Sequence, residues 1–397
     1  MLRKAQLLIA IVGITLLAAC QTTKEHDMLT ASNAAPVLEF ESFNHYQQLT
    51  KKYLISHRYF LSSQIDDEVA ANMPFEIKPR KQTNVSKGII LVHGLGDSPY
   101  SFIDLANSLA DAGFLVRTIL LSGHGTRPGD MIDASYKDWQ LLLERHVRLL
   151  KSEVDDVYLG GFSTGGNLVT SYALQDEDIQ GLVLISPGFK SDTALAPFAP
   201  IAAWFKDWLY KGTPQRYYNR ARYMTTPTNG LAQYYHTSDI VMDQLEDTVY
   251  TKPTFIVISE DDSILDIKAI KSMFNNSFNN TRNKLLYFSN GKKFKTESVE
   301  NEQVSQINSH YPSMRVSNMS HMGLLFSPHN RYYGVNGSQR ICNNGQMQAG
   351  ARAQCEGGGE IWYSAWGYQE PDKVHARLTF NPYYNLMVEE IKRVLSL

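Results

Sequence analysis

The chain is poor in cysteine, with three among 397 residues, at positions 20, 342 and 355. None has a histidine pair nearby at the spacing of a zinc site, so metal binding is not expected. An excess of charge of one sign is also missing. Thirty-eight Lys and Arg against 40 Asp and Glu leave a formal charge of -2, which gives no electrostatic footprint for nucleic acid. There is no internal repeat and no long low-complexity block, so solenoids and extended disorder are set aside. The apolar stretch from Leu7 to Leu17 is far too short to span a bilayer. What remains is ordinary globular composition, 43% hydrophobic and 20% charged, in a chain long enough for one large α/β domain with insertions or for two smaller domains.

At the N-terminus, Arg3 and Lys4 precede that apolar stretch, and Leu17-Ala18-Ala19-Cys20 ends it with small residues. The pattern resembles a bacterial lipoprotein signal peptide over residues 1–19. The resemblance implies cleavage before Cys20 and lipidation of its thiol. Gln21 rather than Asp follows, which implies a lipid-anchored protein of the cell envelope at the outer membrane. Residues 20–40 are expected to form a polar tether. With Cys20 assigned to lipid, Cys342 and Cys355 remain as an even pair, and a disulfide is expected between them.

Strand-like apolar runs recur with helical segments between them, the pattern of a mainly parallel sheet covered on both faces. Strands are predicted over 88–92, 115–121, 157–161, 182–185, 254–258, 285–288 and 315–318, and helices over 102–112, 136–152, 164–175 and 382–397. Leu386, Ile391, Val394 and Leu395 are expected on the apolar side of the last helix. Two stretches break the alternation and are expected over the sheet edge. The first, 188–250, is dense in aromatics and reads as a cap, with Trp204, Phe205 and Trp208 as candidate pocket-lining residues. The second, 327–380, holds the cysteine pair and has no functional reading. The core is thus expected over 41–187 and 251–397.

The stretch with most chemical content is Gly161-Phe162-Ser163-Thr164-Gly165. It lies between a predicted strand and a predicted helix, the setting in which a sharp turn projects a serine hydroxyl outward. Serine is a weak nucleophile until a base takes its proton and a third group orients that base. Acidic residues follow a later strand in Ser259-Glu260-Asp261-Asp262-Ser263-Ile264-Leu265, and an imidazole follows in Ser320-His321-Met322-Gly323. The order Ser, acid, His is that of α/β-hydrolases.

Further residues carry the likeness. His93-Gly94-Leu95-Gly96-Asp97 follows the first clear strand, and Ser122-Gly123-His124-Gly125 and Asp138-Trp139 come next. Together with the Ser163 elbow and His321, they make the chain resemble α/β-hydrolases, particularly bacterial carboxylesterases and the monoglyceride lipase or lysophospholipase group, over about 87–192 and 251–325. The resemblance implies a Ser163, Asp262, His321 triad without a metal or organic cofactor. It also implies an oxyanion hole from the backbone N–H groups of Leu95 and Thr164. Asp261 is the main rival acid, with Glu260 and Asp266 behind it, and Ser259 stands where the family often has glycine. His310 is expected before the last strand as a surface residue, and His93 and His124 are expected to hold loop geometry. The implied substrate is a small-molecule or lipid ester, such as a lysophospholipid or monoacylglycerol. Peptidase or thioesterase activity on the same fold, or an inactive envelope-binding lipoprotein, are the alternatives.

Overall fold

The computed structural model describes residues 25–80, 85–212, 218–290, 302–346 and 349–396. The leader and Cys20 lie outside the described residues. The apolar runs form strands β1 (Glu76–Ile77), β2 (Lys87–Val92), β3 (Leu115–Ile119), β4 (Asp156–Phe162), β5 (Ile179–Ile185), β6 (Thr254–Ser259), β7 (Lys284–Phe288) and β8 (Val304–Ile307). They make one sheet in the order β1-β3-β2-β4-β5-β6-β7-β8. Only β1 runs antiparallel to its neighbour.

Alternate residues of each strand enter two separate cores, because successive side chains of a strand point to opposite faces. Ile89, Leu91, Val183, Ile185, Phe255 and Val257 belong to one core. Ile90, Val92, Leu182, Leu184, Ile256 and Ile258 belong to the other. Helices Ile103–Asp111 and Tyr384–Val394 cover the first face, and Tyr136–Lys151, Thr164–Ala173 and Ile267–Ser277 the second. In the C-terminal helix Met387, Ile391 and Val394 are buried, whereas Leu386 faces solvent.

The structure differs from the expectation at the end of the sheet. Its last strand is β8, and Arg315–Asn318 is not a strand of the sheet at all. Val316 instead makes isolated bridges to Tyr311 and Tyr363. β8 is an edge strand in which no residue is fully buried, so its Val304-Ser305-Gln306-Ile307 sequence lacks the apolar run of an inner strand. His310 therefore follows the last strand; it is partly buried, with Nδ1 3.2 Å from the Ser317 carbonyl oxygen.

The second insertion is more than an edge decoration. Strands β9 (Ile361–Ser364) and β10 (Val374–Arg377) pair in parallel. Tyr332, Tyr333, Ile361, Ala376 and Phe380 join the first core. Cys342 and Cys355 are disulfide-bonded, with Cα atoms 5.7 Å apart. Closing so short a loop is worth about 3 kcal/mol in the chain-entropy picture. Reduction, or Cys342→Ser with Cys355→Ser, is expected to lower the melting temperature by several degrees; thermal unfolding with and without reductant checks this.

The tether expectation also needs correction where residues are described. Met28 and Leu29 are buried with Trp208, Ser32 N–H donates to Asp130 at 2.6 Å, and Val37, Leu38 and Phe40 pack on the second core. These apolar side chains give 25–40 a surface to lie on.

Candidate active site

The strand order reverses about β2, which has β3 on one side and β4 on the other. The crevice beyond the carboxyl ends of β2 and β4 is where ligands bind in open α/β sheets. The loop after β2 and the turn after β4 meet there. A Cβ on Gly94 would lie 3.1 Å from that of Ser163.

Ser163 sits between β4 and the helix Thr164–Ala173 with φ 52° and ψ -117°. A positive φ is costly for a residue with a Cβ and persists only where the surroundings impose it. Four hydrogen bonds do so. Ser163 N–H donates to Ile185 O at 3.1 Å, and the Ser163 carbonyl accepts from Gly166 N–H at 2.8 Å, Gly188 N–H at 2.9 Å and Asn167 N–H at 3.3 Å.

His321 and Asp262 are brought together, with Nδ1 2.6 Å from Oδ2. Asp262 is held from its other oxygen, since Oδ1 accepts from Ile264 N–H at 2.9 Å and Leu265 N–H at 3.2 Å. Two of the rival acids have other employment. Glu260 accepts from Ser289 Oγ at 2.8 Å, and Asp266 caps the helix Ile267–Ser277 through Ala269 N–H and pairs with Lys190. Asp261 is buried, and its N–H donates to Ser259 Oγ at 3.2 Å. The His321 ring lies 4.9 Å from that of Phe162, the residue before the serine. Its loop hangs from the second insertion: Ser320 Oγ donates to Leu378 O at 2.6 Å, and Ser317 N–H to Tyr363 O at 2.8 Å.

Leu95 lies in the loop after β2 and Thr164 is the first residue of the helix that follows Ser163. The first N–H groups of a helix have no partner within it, so the Thr164 amide is free of the helix ladder. Two histidines shape the Leu95 loop. His93 Nε2 accepts from Leu121 N–H at 3.2 Å and its Nδ1 donates to Gly94 O at 2.9 Å. His124 Nε2 accepts from Gly96 N–H at 3.0 Å while its Nδ1 donates to Ser122 O at 3.1 Å. Trp139 supports this loop, its Nε1–H donating to Ser122 O at 3.0 Å. Both imidazoles must be neutral to accept, and burial favours that form. It pushes His93 well below the usual histidine value and His124 down to about 4.

His146, among Phe40, Phe43 and Tyr46, is pushed down to about 3 by burial and by the Arg117 charge. In the unfolded chain these rings titrate near 6.5. Between that value and about 4 to 3 the unfolded chain binds more protons, so this stability is complete above about pH 6.5 and is lost as the pH falls through that window. Melting temperature is therefore expected to drop steeply from about pH 6.5 to 4, and less steeply in His146→Phe, as a pH series of thermal melts would record.

Some contacts had no signal in the sequence. Tyr223 N–H donates to Gly96 O at 2.6 Å, and its ring stacks on His124. Arg222 reaches Asp97 at 3.5 Å and Met322 Sδ at 2.8 Å. Tyr234, on the 20-residue helix Thr228–Asp247, closes on Gly188. These come from the first insertion, which therefore meets the loop at Gly96 and the turn at Gly188. The aromatics singled out as pocket-lining do not. Trp204 and Phe205 are 83% and 82% exposed, and Trp208 is buried instead against Met28 and Leu29. Their apolar character marks an outer surface and a small separate core.

Residues 83–240 match the family model of serine aminopeptidase, S33. With a mainly parallel sheet, a strained serine between β4 and its helix, and the order Ser163, Asp262, His321, that match decides the fold. The chain has the α/β-hydrolase fold. A thermostable monoacylglycerol lipase from Bacillus sp. (strain H-257) is 35% identical over 109 residues, 28% of this chain and 44% of that protein. The chain thus matches less than half the length of that relative. Among solved structures, a chain from the work on LipS and LipT, two metagenome-derived lipolytic enzymes, has 22% identity, coverage of 55% of this chain and 88% of that one, and a TM-score of 0.47. A soluble variant of monoglyceride lipase from Saccharomyces cerevisiae gives 16%, 54% and 81%, and 0.44.

Proposed function

We propose that this α/β-hydrolase cleaves carboxylic esters through an acyl-enzyme on Ser163. The observation that carries the reading is the 2.6 Å contact between His321 Nδ1 and Asp262 Oδ2. It leaves Nε2 as the proton acceptor on an imidazole beside Phe162 and the serine turn. Ser163 Oγ attacks the carbonyl carbon as its proton passes to His321. The imidazolium is stabilised by Asp262 and returns the proton to the leaving alkoxide, which departs as the C–O bond breaks. Water, deprotonated by His321, then releases the acid and restores the serine. The N–H groups of Leu95 and Thr164 serve the oxyanion, each worth about 3 to 4 kcal/mol in the transition state. No step calls for a metal or cofactor.

The monoacylglycerol lipase relative supports an acyl lipid as substrate, and the leader supports a lipid anchor at Cys20 on the cell envelope. The test is labelling by a fluorophosphonate probe, followed by a screen of ester chain lengths and head groups. Labelling confined to Ser163 and turnover of monoacylglycerol or lysophospholipid are expected. An unlabelled protein without esterase activity overturns the reading. The family model's description favours a second reading, hydrolysis of aminoacyl amides; aminoacyl p-nitroanilides in the same screen separate the two. For the anchor, the mass of the N-terminal peptide of the exported protein decides, since an unmodified Cys20 refutes it.

A further inference from the structure

The cap carries an apolar face that the site does not use. Leu195, Phe198, Ile201, Trp204, Phe205 and Leu209 are between 54 and 83% exposed. They follow one another at intervals of mostly three or four residues through a 3-10 turn (Ala196–Phe198), a short helix (Ala199–Ala203) and the chain beyond. Such spacing gathers side chains on one side of a helical backbone. A surface helix normally turns that side inward, and this segment turns it out. Trp208 points back, buried with Met28 and Leu29, and fastens the segment to the body.

Exposed apolar surface of this kind marks an interaction site, and the surroundings choose the occupant. Lys206, Asp207 and Lys211 are the charges between 195 and 211 that have exposed positions, so attraction to a highly charged partner is not the driving force. Aromatic side chains with a polar tip, Trp204, Tyr210 and Tyr218, stand among the exposed residues, the type that settles at the level of lipid head groups. The incoming chain meets the protein at this place. Glu25 pairs with Lys211, and Met28 and Leu29 pack on Trp208. Cys20 is five residues before Glu25, at most about 18 Å of extended chain.

We propose that this face docks on a lipid bilayer. The anchor at Cys20 and the exposed cap segment then grip the membrane along one edge of the molecule, and the cap lies against the lipid. The two-point grip rests on the reading of Cys20 as a lipidated residue, whereas the affinity of the face for bilayer does not.

The test uses the chain from residue 20 onward, made without lipid, which retains every described residue. It is floated with phosphatidylcholine vesicles beside Trp204→Ser with Phe205→Ser. The parent chain is expected to float, and to do so in about 1 M NaCl, where screening acts within about 3 Å. The double variant is expected to bind about tenfold less or weaker still, as two interfacial aromatics are lost. Both should hydrolyse a soluble short-chain ester alike. Failure of the parent to bind, or equal binding by the two, overturns docking. Self-association abolished by the double variant, with no vesicle binding, overturns it in favour of an interface between copies. A parent chain that hydrolyses no ester, yet binds vesicles that the double variant does not, refutes the catalytic reading and leaves docking standing.

Discussion

Ser163→Ala is expected to lower kcat for a soluble p-nitrophenyl ester by about 10⁶-fold, and adding His321→Ala should lower it no further. The non-additivity is the informative part. In the proposed mechanism nucleophile and base act in one event, so once Oγ is absent the imidazole has no proton to take. What survives in both variants is the contribution of substrate binding and the oxyanion donors, about 10³- to 10⁴-fold over water. The folded state should be retained, because Ser163 is held through its backbone N–H and carbonyl, and alanine keeps both. Steady-state kinetics of the two single variants and the double variant, with melting temperatures beside them, provide the check. Activity in Ser163→Ala above that remnant, or a multiplicative loss in the double variant, would show that the serine is not the nucleophile.

Gly165→Ala should instead cost the fold itself. A Cβ at this position would lie 2.0 Å from Val92 O and 2.7 Å from His93 O, and Val92 ends an inner strand that cannot move without breaking its pairing on both sides. The helix Thr164–Ala173 must rise off the sheet, opening the second core beneath it. A loss of about 4 kcal/mol or more is expected, a large share of the stability of an ordinary domain. Gly350→Ala is the matched control. Its φ of +79° strains any side chain, but nothing lies within 4 Å, so about 1 kcal/mol is expected. Denaturant midpoints of the two variants measure the difference, and equal midpoints would sink the steric account.

The contrast between these glycines also shows what the sequence discloses. The five-residue elbow was legible because the same few atoms serve turn geometry, helix approach and chemistry, and the residue types permitted there are few. The inner strands were legible because burial on both faces demands continuous apolar runs, as in Gly88-Ile89-Ile90-Leu91-Val92. β8 was not, since an edge strand can be polar. Val316 misled for the converse reason: it is fully buried, but in a bridge to a segment nearly fifty residues later, which no local pattern announces. Asp262 was separable from its neighbours only in part, because three adjacent acids differ in where their side chains point. Tyr223 and Arg222 carry no motif; their positions depend on how the first insertion returns over the loop at Gly96. The aromatic density of that insertion was read correctly as unusual and placed on the wrong side, because composition gives no direction.

The hold of the second insertion on the His321 loop has a consequence in time. Leu378 and Tyr363, which fasten Ser320 and Ser317, are made after the histidine they support. A nascent chain stopped at residue 350 already contains Ser163, Asp262 and His321, yet it lacks both contacts that fasten the histidine loop to the second insertion. Under the proposed chemistry full activity waits on the last tens of residues, which complete the support of the loop that carries the base.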